Sequence, residues 1–179
     1  METLVIEGPE QVLELVGKQV GPTEWREVTQ EMINTFADLS GDHQWIHVDV
    51  ERAKTESPFG TTIAHGNLTL SMIDGFRLDL VEVTGGFSMG VNYGWNKVRF
   101  PAPVTVGSSC RATAEMTEIN DLGNGWVETV TKITVEVRNP EGQVGEKPCC
   151  VADRWFRRSG RKRSQRASST GFGNSADPT

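Results

Sequence analysis

The residues best suited to chemistry lie close together in the sequence. All three histidines, His43, His47 and His65, fall within a span of 23 residues, and Asp42 directly precedes the first of them. Histidine is the side chain that most readily exchanges protons near neutral pH, and a nearby carboxylate can orient its ring or share a water molecule with it. The cluster therefore predicts acid–base chemistry. Each residue also has a structural interpretation, because Gly41 and Asp42 can simply end a helix and an isolated loop histidine is usually exposed.

A metal site is a second interpretation of the same residues. His43 and His47 are four positions apart, and His65 and Asp42 are available as further ligands. Against a metal, the chain contains no HExxH pattern and no Cys or Glu at a familiar ligand spacing. We therefore expect acid–base chemistry, with no metal ion and no cofactor.

Helices are predicted on both sides of the histidine cluster. A short helix is expected over residues 9–17, and a second begins after a Thr29 cap and ends at Gly41. A third, more apolar helix begins near His65–Gly66 and continues until Gly85–Gly86. Its apolar stripe predicts a core helix, formed by Leu68, Met72, Phe76 and Leu80 together with Ile73 and Val83.

After Gly86, apolar residues recur at every second position rather than at helical spacing, as in Val91, Tyr93 and Trp95. About four long antiparallel strands are predicted between this point and residue 156, joined by glycine-containing turns. Helices first and a meander of strands after them predict an α+β fold. In this fold an antiparallel sheet wraps the central apolar helix on one face.

Length and composition fit one globular domain followed by a tail. The chain has 179 residues, of which 36% are hydrophobic, and its net charge is −6. Residues 157–179, rich in Ser, Arg and Gly, contain six Lys or Arg against one Asp, so we expect a basic flexible tail of charge +5. Residues 1–156 then carry a charge of −11. Such an acidic domain is a poor nucleic-acid binder, because duplex affinity comes mainly from cations.

No apolar run approaches the roughly 18 residues that cross a bilayer, and the first residues are acidic where a signal peptide is basic. We therefore expect a cytoplasmic protein without membrane attachment. Three cysteines, Cys110, Cys149 and Cys150, are odd in number and form no CxxC spacing, so they are expected to be reduced thiols.

Three segments carry a resemblance to a known family. Residues 36–49, with the sequence FADLSGDHQWIHVD, and residues 58–66, PFGTTIAHG, resemble the hydratase signature of the MaoC-like, (R)-specific enoyl-CoA hydratase family. Residues 96–104, NKVRFPAPV, resemble the first strand after the central helix in that family, and the likeness extends over roughly residues 25–156. The resemblance implies a single hot-dog domain, usually a homodimer whose two sheets join edge to edge.

The same resemblance assigns the site. It implies that Asp42 and His47 are the catalytic pair, which activates one water for addition to C3 of a trans-2-enoyl thioester while a proton reaches C2. The product is the (3R)-hydroxyacyl thioester, and the partner is therefore an acyl-CoA thioester substrate. The backbone N–H of Gly66, at a helix N-terminus, matches the position that binds the thioester oxygen as negative charge develops there.

The sequence departs from the family at two places. Many members have Asn-Pro where this chain has Gln44-Trp45, and some have a serine where an ungapped alignment places Asp74, with Ser71 one turn earlier. We therefore assign no third catalytic residue.

Other side chains of this region have lesser expected roles. We expect His65 to pack or hydrogen-bond at the helix start and His43 to be exposed. Candidate cations for the phosphates of coenzyme A are Lys97, Arg99 and Arg111, although each can equally be a solvated strand residue.

Two alternative functions remain open on the sequence alone. The first is a (3R)-hydroxyacyl-carrier-protein dehydratase of fatty-acid synthesis, which uses the same fold and catalytic pair. The second is a non-catalytic acyl-thioester-binding hot-dog protein. A hot-dog thioesterase is disfavoured because the Asp42 to His47 spacing belongs to hydration.

Overall fold

Helices precede the long strands along the chain, in the order that the sequence predicts. The computed structural model describes residues 3–160. Its first part contains β1 (Leu4–Ile6), α1 (Pro9–Val12), β2 (Gln19–Val20), β3 (Arg26–Glu27), α2 (Gln30–Ser40), α3 (Trp45–Val48), α4 (Val50–Glu56) and α5 (Gly66–Leu80). The second part contains β4 (Val81–Val83), β5 (Phe87–Arg99), β6 (Ser109–Gly123), β7 (Trp126–Arg138) and β8 (Cys150–Gly160).

The long strands form one antiparallel sheet. Their order is β2-β6-β7-β8-β5, and β3 also pairs with β6. β1 and β4 form a separate parallel pair. Because β5 stands at the end of the order, one of its edges has no strand beside it within residues 3–160.

Helix α5 lies against the sheet and forms the main core. Its buried side chains include Leu68, Ile73, Phe76 and Leu80, which cluster with buried residues of β6, β7 and β8 such as Ala112, Ile133, Val135 and Ala152. A sheet packed around an apolar helix confirms the predicted α+β architecture. Within residues 3–160 no helix has the length and apolarity that a membrane crossing requires; the longest is α5, with 15 residues.

Two helix predictions require correction. Helix α5 ends at Leu80 rather than near Gly85, and Val83 lies in β4 with 37% of its surface exposed. The segment Val81–Val83 pairs instead with β1, a partner that local periodicity cannot reveal. Helix α1 is also shorter than predicted, ending at Val12.

The predicted start of the tail is also corrected, because β8 continues to Gly160. Arg157 donates to buried Glu128 at 2.7 Å, and Arg158 is only 7% exposed. Residues 157–160 therefore belong to the domain. The remainder of the predicted tail, residues 161–179, lies outside the described residues.

The three cysteines are free thiols in the structure, and all three are buried. Cys110 and Cys149 lie side by side, with 3.8 Å between their sulfur atoms.

Candidate active site

The end of α2 places Asp42. Gly41 has a φ of 78°, and its N–H donates to the Ala37 carbonyl at 2.8 Å, which ends the helix in the left-handed conformation that glycine favours. The chain then turns, and an oxygen of the exposed Asp42 carboxylate accepts from the Gln44 N–H at 3.3 Å. Asp42 therefore stands directly before α3, the single helical turn that carries His47.

The imidazole of His47 is held in one orientation. The ring is 8% exposed, and its Nδ1 lies 2.7 Å from the Ile63 carbonyl oxygen. Since a carbonyl oxygen can only accept, we assign the ring proton to Nδ1. Nε2 is then the unprotonated nitrogen, available to receive a proton.

His65 connects the two candidate catalytic residues. Its Nε2 donates to the Asp42 carbonyl oxygen at 2.9 Å. Its ring stacks on that of His47, with 3.7 Å between centroids and 26° between planes, and also contacts Phe36 at 5.1 Å. His65 is 4% exposed, so the prediction that it packs and hydrogen-bonds at the helix start is confirmed.

The structure brings Asp42, His47 and His65 together. One ligand atom from each lies within 4.8 Å of the other two. A metal ion fits this group poorly, because the stacked imidazole rings lie face to face, whereas ligating nitrogens must aim within their ring planes at a common point about 2 Å away. In addition, Nε2 of His65 is engaged by the Asp42 carbonyl. A water molecule shared by a carboxylate and an imidazole fits the geometry better.

Gly66 is the first residue of α5, where the backbone N–H has no partner within the helix. A Cβ at this position would lie 2.8 Å from the Phe100 ring, so a larger residue could enter only if the ring or the helix moved. Gly66 and His47 line the same cavity of about 330 Å³, together with Phe59, Thr69, Phe100 and Cys149 among others. Asp42 lies beside this cavity rather than in its lining.

Comparison with known proteins decides the family. The profile described as MaoC like domain matches residues 11–138, most of the chain. The chain belongs to the MaoC-like domain family. This membership confirms the resemblance carried by the two signature segments.

Relatives of this MaoC-like chain include proteins named as dehydratases. Over 137 residues it is 52% identical to 3-hydroxyacyl-thioester dehydratase Z of Mycobacterium tuberculosis, covering 76% of this chain and 86% of the relative. The MaoC-like chain is accordingly a hydro-lyase of the hydratase and dehydratase type.

Solved structures support the fold. One, described as a monoamine oxidase regulatory protein from Archaeoglobus, has a TM-score of 0.66 and 28% identity, covering 90% of this chain and 100% of its own. An unliganded R-hydratase from Pseudomonas aeruginosa, PhaJ1, has a TM-score of 0.57 and 23% identity, covering 79% of each chain. The fold of this MaoC-like chain is the hot-dog fold.

His43 is separate from the cluster. It is exposed, as predicted, and its Nε2 lies 2.9 Å from the Asp38 carboxylate. That hydrogen bond raises the pKa of His43 above its usual 6.5. His43 therefore points to α2 and does not join Asp42 and His47.

The candidate phosphate-binding cations are not brought together. Lys97 and Arg99 lie on β5 at one end of the sheet, whereas Arg111 lies on β6, beyond β8 and β7. Lys97 pairs with Asp153 at 3.2 Å and Arg111 with Glu136 at 2.7 Å. They do not form one patch in the single chain.

Asp74, at the position of the family serine, accepts from Arg154 at 2.6 Å. Ser71 is exposed and donates back to the Asn67 carbonyl of its own helix at 2.8 Å. Both side chains are therefore engaged by partners within the described fold.

One supporting residue was missed by the sequence analysis. Gln30 donates through Nε2 to the His47 carbonyl at 2.8 Å and accepts from the buried Thr62 hydroxyl at 2.5 Å. It ties the first turn of α2 to the two segments that hold the His47 ring. A glutamine beside a helix cap carries no sequence signal for such a role, because its partners lie 17 and 32 positions away.

Proposed function

We propose that this chain catalyses the reversible hydration of trans-2-enoyl-CoA to (3R)-3-hydroxyacyl-CoA. The single observation that carries the proposal is the approach of the Asp42 carboxylate to the His47 imidazole, within 4.8 Å. The Ile63 carbonyl leaves Nε2 of His47 as the nitrogen that can take a proton. The family and its dehydratase relative support the reaction class.

The proposed reaction uses both groups on one water molecule. One member of the pair takes a proton from the water as its oxygen bonds to C3 of the enoyl thioester. The π electrons of the C2–C3 bond move toward the carbonyl, so that negative charge develops on the thioester oxygen. The proton taken from the water is then delivered to C2, which completes the product and returns the pair to its starting state. General acid and base steps of this kind contribute typically 10²–10⁴-fold to a rate.

The backbone N–H of Gly66 is proposed to bind the thioester oxygen. It stands at the N-terminus of a 15-residue helix, where an unpaired donor and the positive end of the helix dipole both favour an anion. One such donor is worth about 3–4 kcal/mol of barrier. The cavity shared by Gly66 and His47, with Phe59 and Phe100 in its lining, supplies apolar contact for an acyl group.

A homodimer is the proposed assembly. β5 is a 13-residue edge strand that exposes Met89, Val91 and Tyr93 by 51%, 39% and 57%. A long, apolar strand edge without a covering element favours pairing with another strand. Light scattering of the purified protein should therefore give twice the chain mass of 19.7 kDa; a mass equal to one chain would contradict this assembly.

The experiment that tests the reaction is a hydration assay over enoyl-CoA substrates of increasing chain length, beginning with crotonyl-CoA. We expect loss of enoyl absorbance and formation of the (3R) alcohol. The same acyl groups on an acyl carrier protein provide the comparison for the dehydratase alternative, and faster turnover there would identify the carrier-protein thioester as the substrate. Binding of enoyl-CoA without turnover of either substrate would instead favour the non-catalytic alternative.

A further inference from the structure

A second cavity lies under the other half of α5. It is bordered by Ile73, Phe76 and Leu80 of α5, by β1, and by inward side chains of β6, β7 and β8. It offers about 50 Å³ to the centres of water-sized molecules. It shares no lining residue with the cavity beside His47, so it is a separate site on the described part of the chain.

Cations outnumber anions around this cavity. Its lining includes four cations: Arg154 and Arg158 of β8, Arg77 of α5, and Lys18, which precedes β2. No carboxylate is among the lining residues. Arg154 is 4% exposed and Arg158 is 7% exposed. Buried cations are costly unless they are paired.

The protein satisfies these arginines only in part. Arg154 pairs with Asp74 at 2.6 Å, and its guanidinium lies 4.6 Å from the Phe156 ring centroid. Arg158 lies 4.5 Å from the same ring and makes no ion pair with any of residues 3–160. The buried Nε atoms of Arg77 and Arg154 have no hydrogen-bond partner among those residues either.

The electrostatics of the cluster favour an anion. Burial, and then the charges of Arg77 and Arg154, lower the pKa of Arg158 to about 10. Arg158 nevertheless remains protonated at pH 7. Three guanidinium groups around one phenyl ring, with a single carboxylate beside them, leave an excess of buried positive charge that a bound anion would offset.

The rest of the lining is apolar, with Ile73, Phe76, Met116 and Ile133 among its members. We propose that this cavity binds a short-chain alkyl carboxylate, with its carboxylate among Arg77, Arg154 and Arg158 and its alkyl chain against Ile73 and Ile133. The small volume favours a short chain. The site is independent of the proposed hydratase function and needs neither Asp42 nor His47.

Calorimetric titration of the full-length chain with hexanoate tests the proposal, and hexanamide is the neutral ligand of matched shape. We expect hexanoate to bind at millimolar concentration or below and hexanamide to bind at least tenfold more weakly. Arg158→Met should weaken hexanoate binding at least tenfold, whereas Arg99→Met, which removes an exposed arginine of β5, should leave it unchanged. Equal binding of the two ligands, or unchanged binding by Arg158→Met, would overturn the proposal.

Thermal unfolding supplies a second readout. Without ligand, Arg158→Met should melt at a higher temperature than the wild type, because the substitution removes a buried charge that has no counter-ion among residues 3–160. Hexanoate should raise the melting temperature of the wild type and not that of the variant.

Methyl NMR of the wild type locates the ligand even if Arg158→Met fails to fold. Hexanoate should shift the signals of Ile73 and Ile133 and leave that of Ile63, beside His47, in place. Shifts confined to Ile63 would place hexanoate at the thioester site and contradict the proposal. The substitution Asp42→Asn should not change hexanoate binding, so failure of this site and failure of the hydratase function can be told apart.

Discussion

At the scale of single residues, His65 contacts both members of the proposed catalytic pair. Its hydrogen bond fixes the backbone of Asp42, and its ring supports that of His47. We therefore propose His65 as a positioning residue. A hydrogen bond of this kind contributes about 1 kcal/mol. Since it positions the proposed pair, its loss should lower the rate several-fold.

The substitution His65→Phe separates the two contacts, because phenylalanine keeps a ring for stacking and loses the hydrogen bond. We expect kcat to fall several-fold to about tenfold, with KM nearly unchanged, since the substrate still enters the same cavity. Steady-state kinetics measure both parameters. His43→Phe, an exposed histidine outside the cluster, is the matched control. Wild-type kcat in His65→Phe would show that stacking alone positions the pair.

His43 and Asp38 make a pH-dependent surface pair. The carboxylate of Asp38 raises the pKa of His43 above 6.5 in the folded chain. Because the folded value is the higher one, any stability from this pair is fully present below the unfolded pKa and is lost as pH rises through the folded pKa. NMR titration should give His43 a pKa above 6.5, and Asp38→Asn should lower it. An unchanged titration in Asp38→Asn would contradict the hydrogen bond.

At the scale of elements, the start of α5 depends on the packing of Phe100 against Gly66. In Gly66→Ala the added methyl would lie 2.8 Å from the ring. We expect lower activity and a lower melting temperature, because the ring or the helix must move. The free energy of unfolding should fall by about 1–3 kcal/mol. Gly94→Ala is the matched control, since its Cβ meets nothing within 4 Å.

A double variant isolates the cause. In a Phe100→Ala background, Gly66→Ala should cost much less stability, because the clash has been removed. Denaturant unfolding of the four proteins gives this coupling directly. Additive effects would mean that Gly66 is needed for a reason other than the Phe100 ring.

At the scale of the whole molecule, local signals predicted most of the frame. Thr29 accepts from the Met32 N–H as a cap, Gly41 ends α2, and Gly66 begins α5, all as expected from the sequence. Such signals act within one helical turn. The four long strands likewise followed from their alternating pattern.

Long-range contacts decided the features that the sequence did not predict. The segment after Leu80 continues the apolar helical pattern but pairs with β1, which lies 77 positions earlier in the chain. Arginine is a residue type that is mostly exposed, yet the alternation of β8 turns Arg154 and Arg158 inward. The bond from His65 to Asp42 spans 23 positions. Only the folded topology brings such residues together.

The central claim is that Asp42 and His47 together activate water, and turnover by their conservative variants tests it most directly. On the enoyl thioester that the wild type hydrates best, Asp42→Asn and His47→Gln should each lower kcat by at least ~100-fold. Circular dichroism and the melting temperature should remain those of the wild type, and His43→Gln should keep full activity. The double variant should be little slower than either single one, because the pair acts as a unit. Wild-type turnover in folded Asp42→Asn or His47→Gln would contradict the claim.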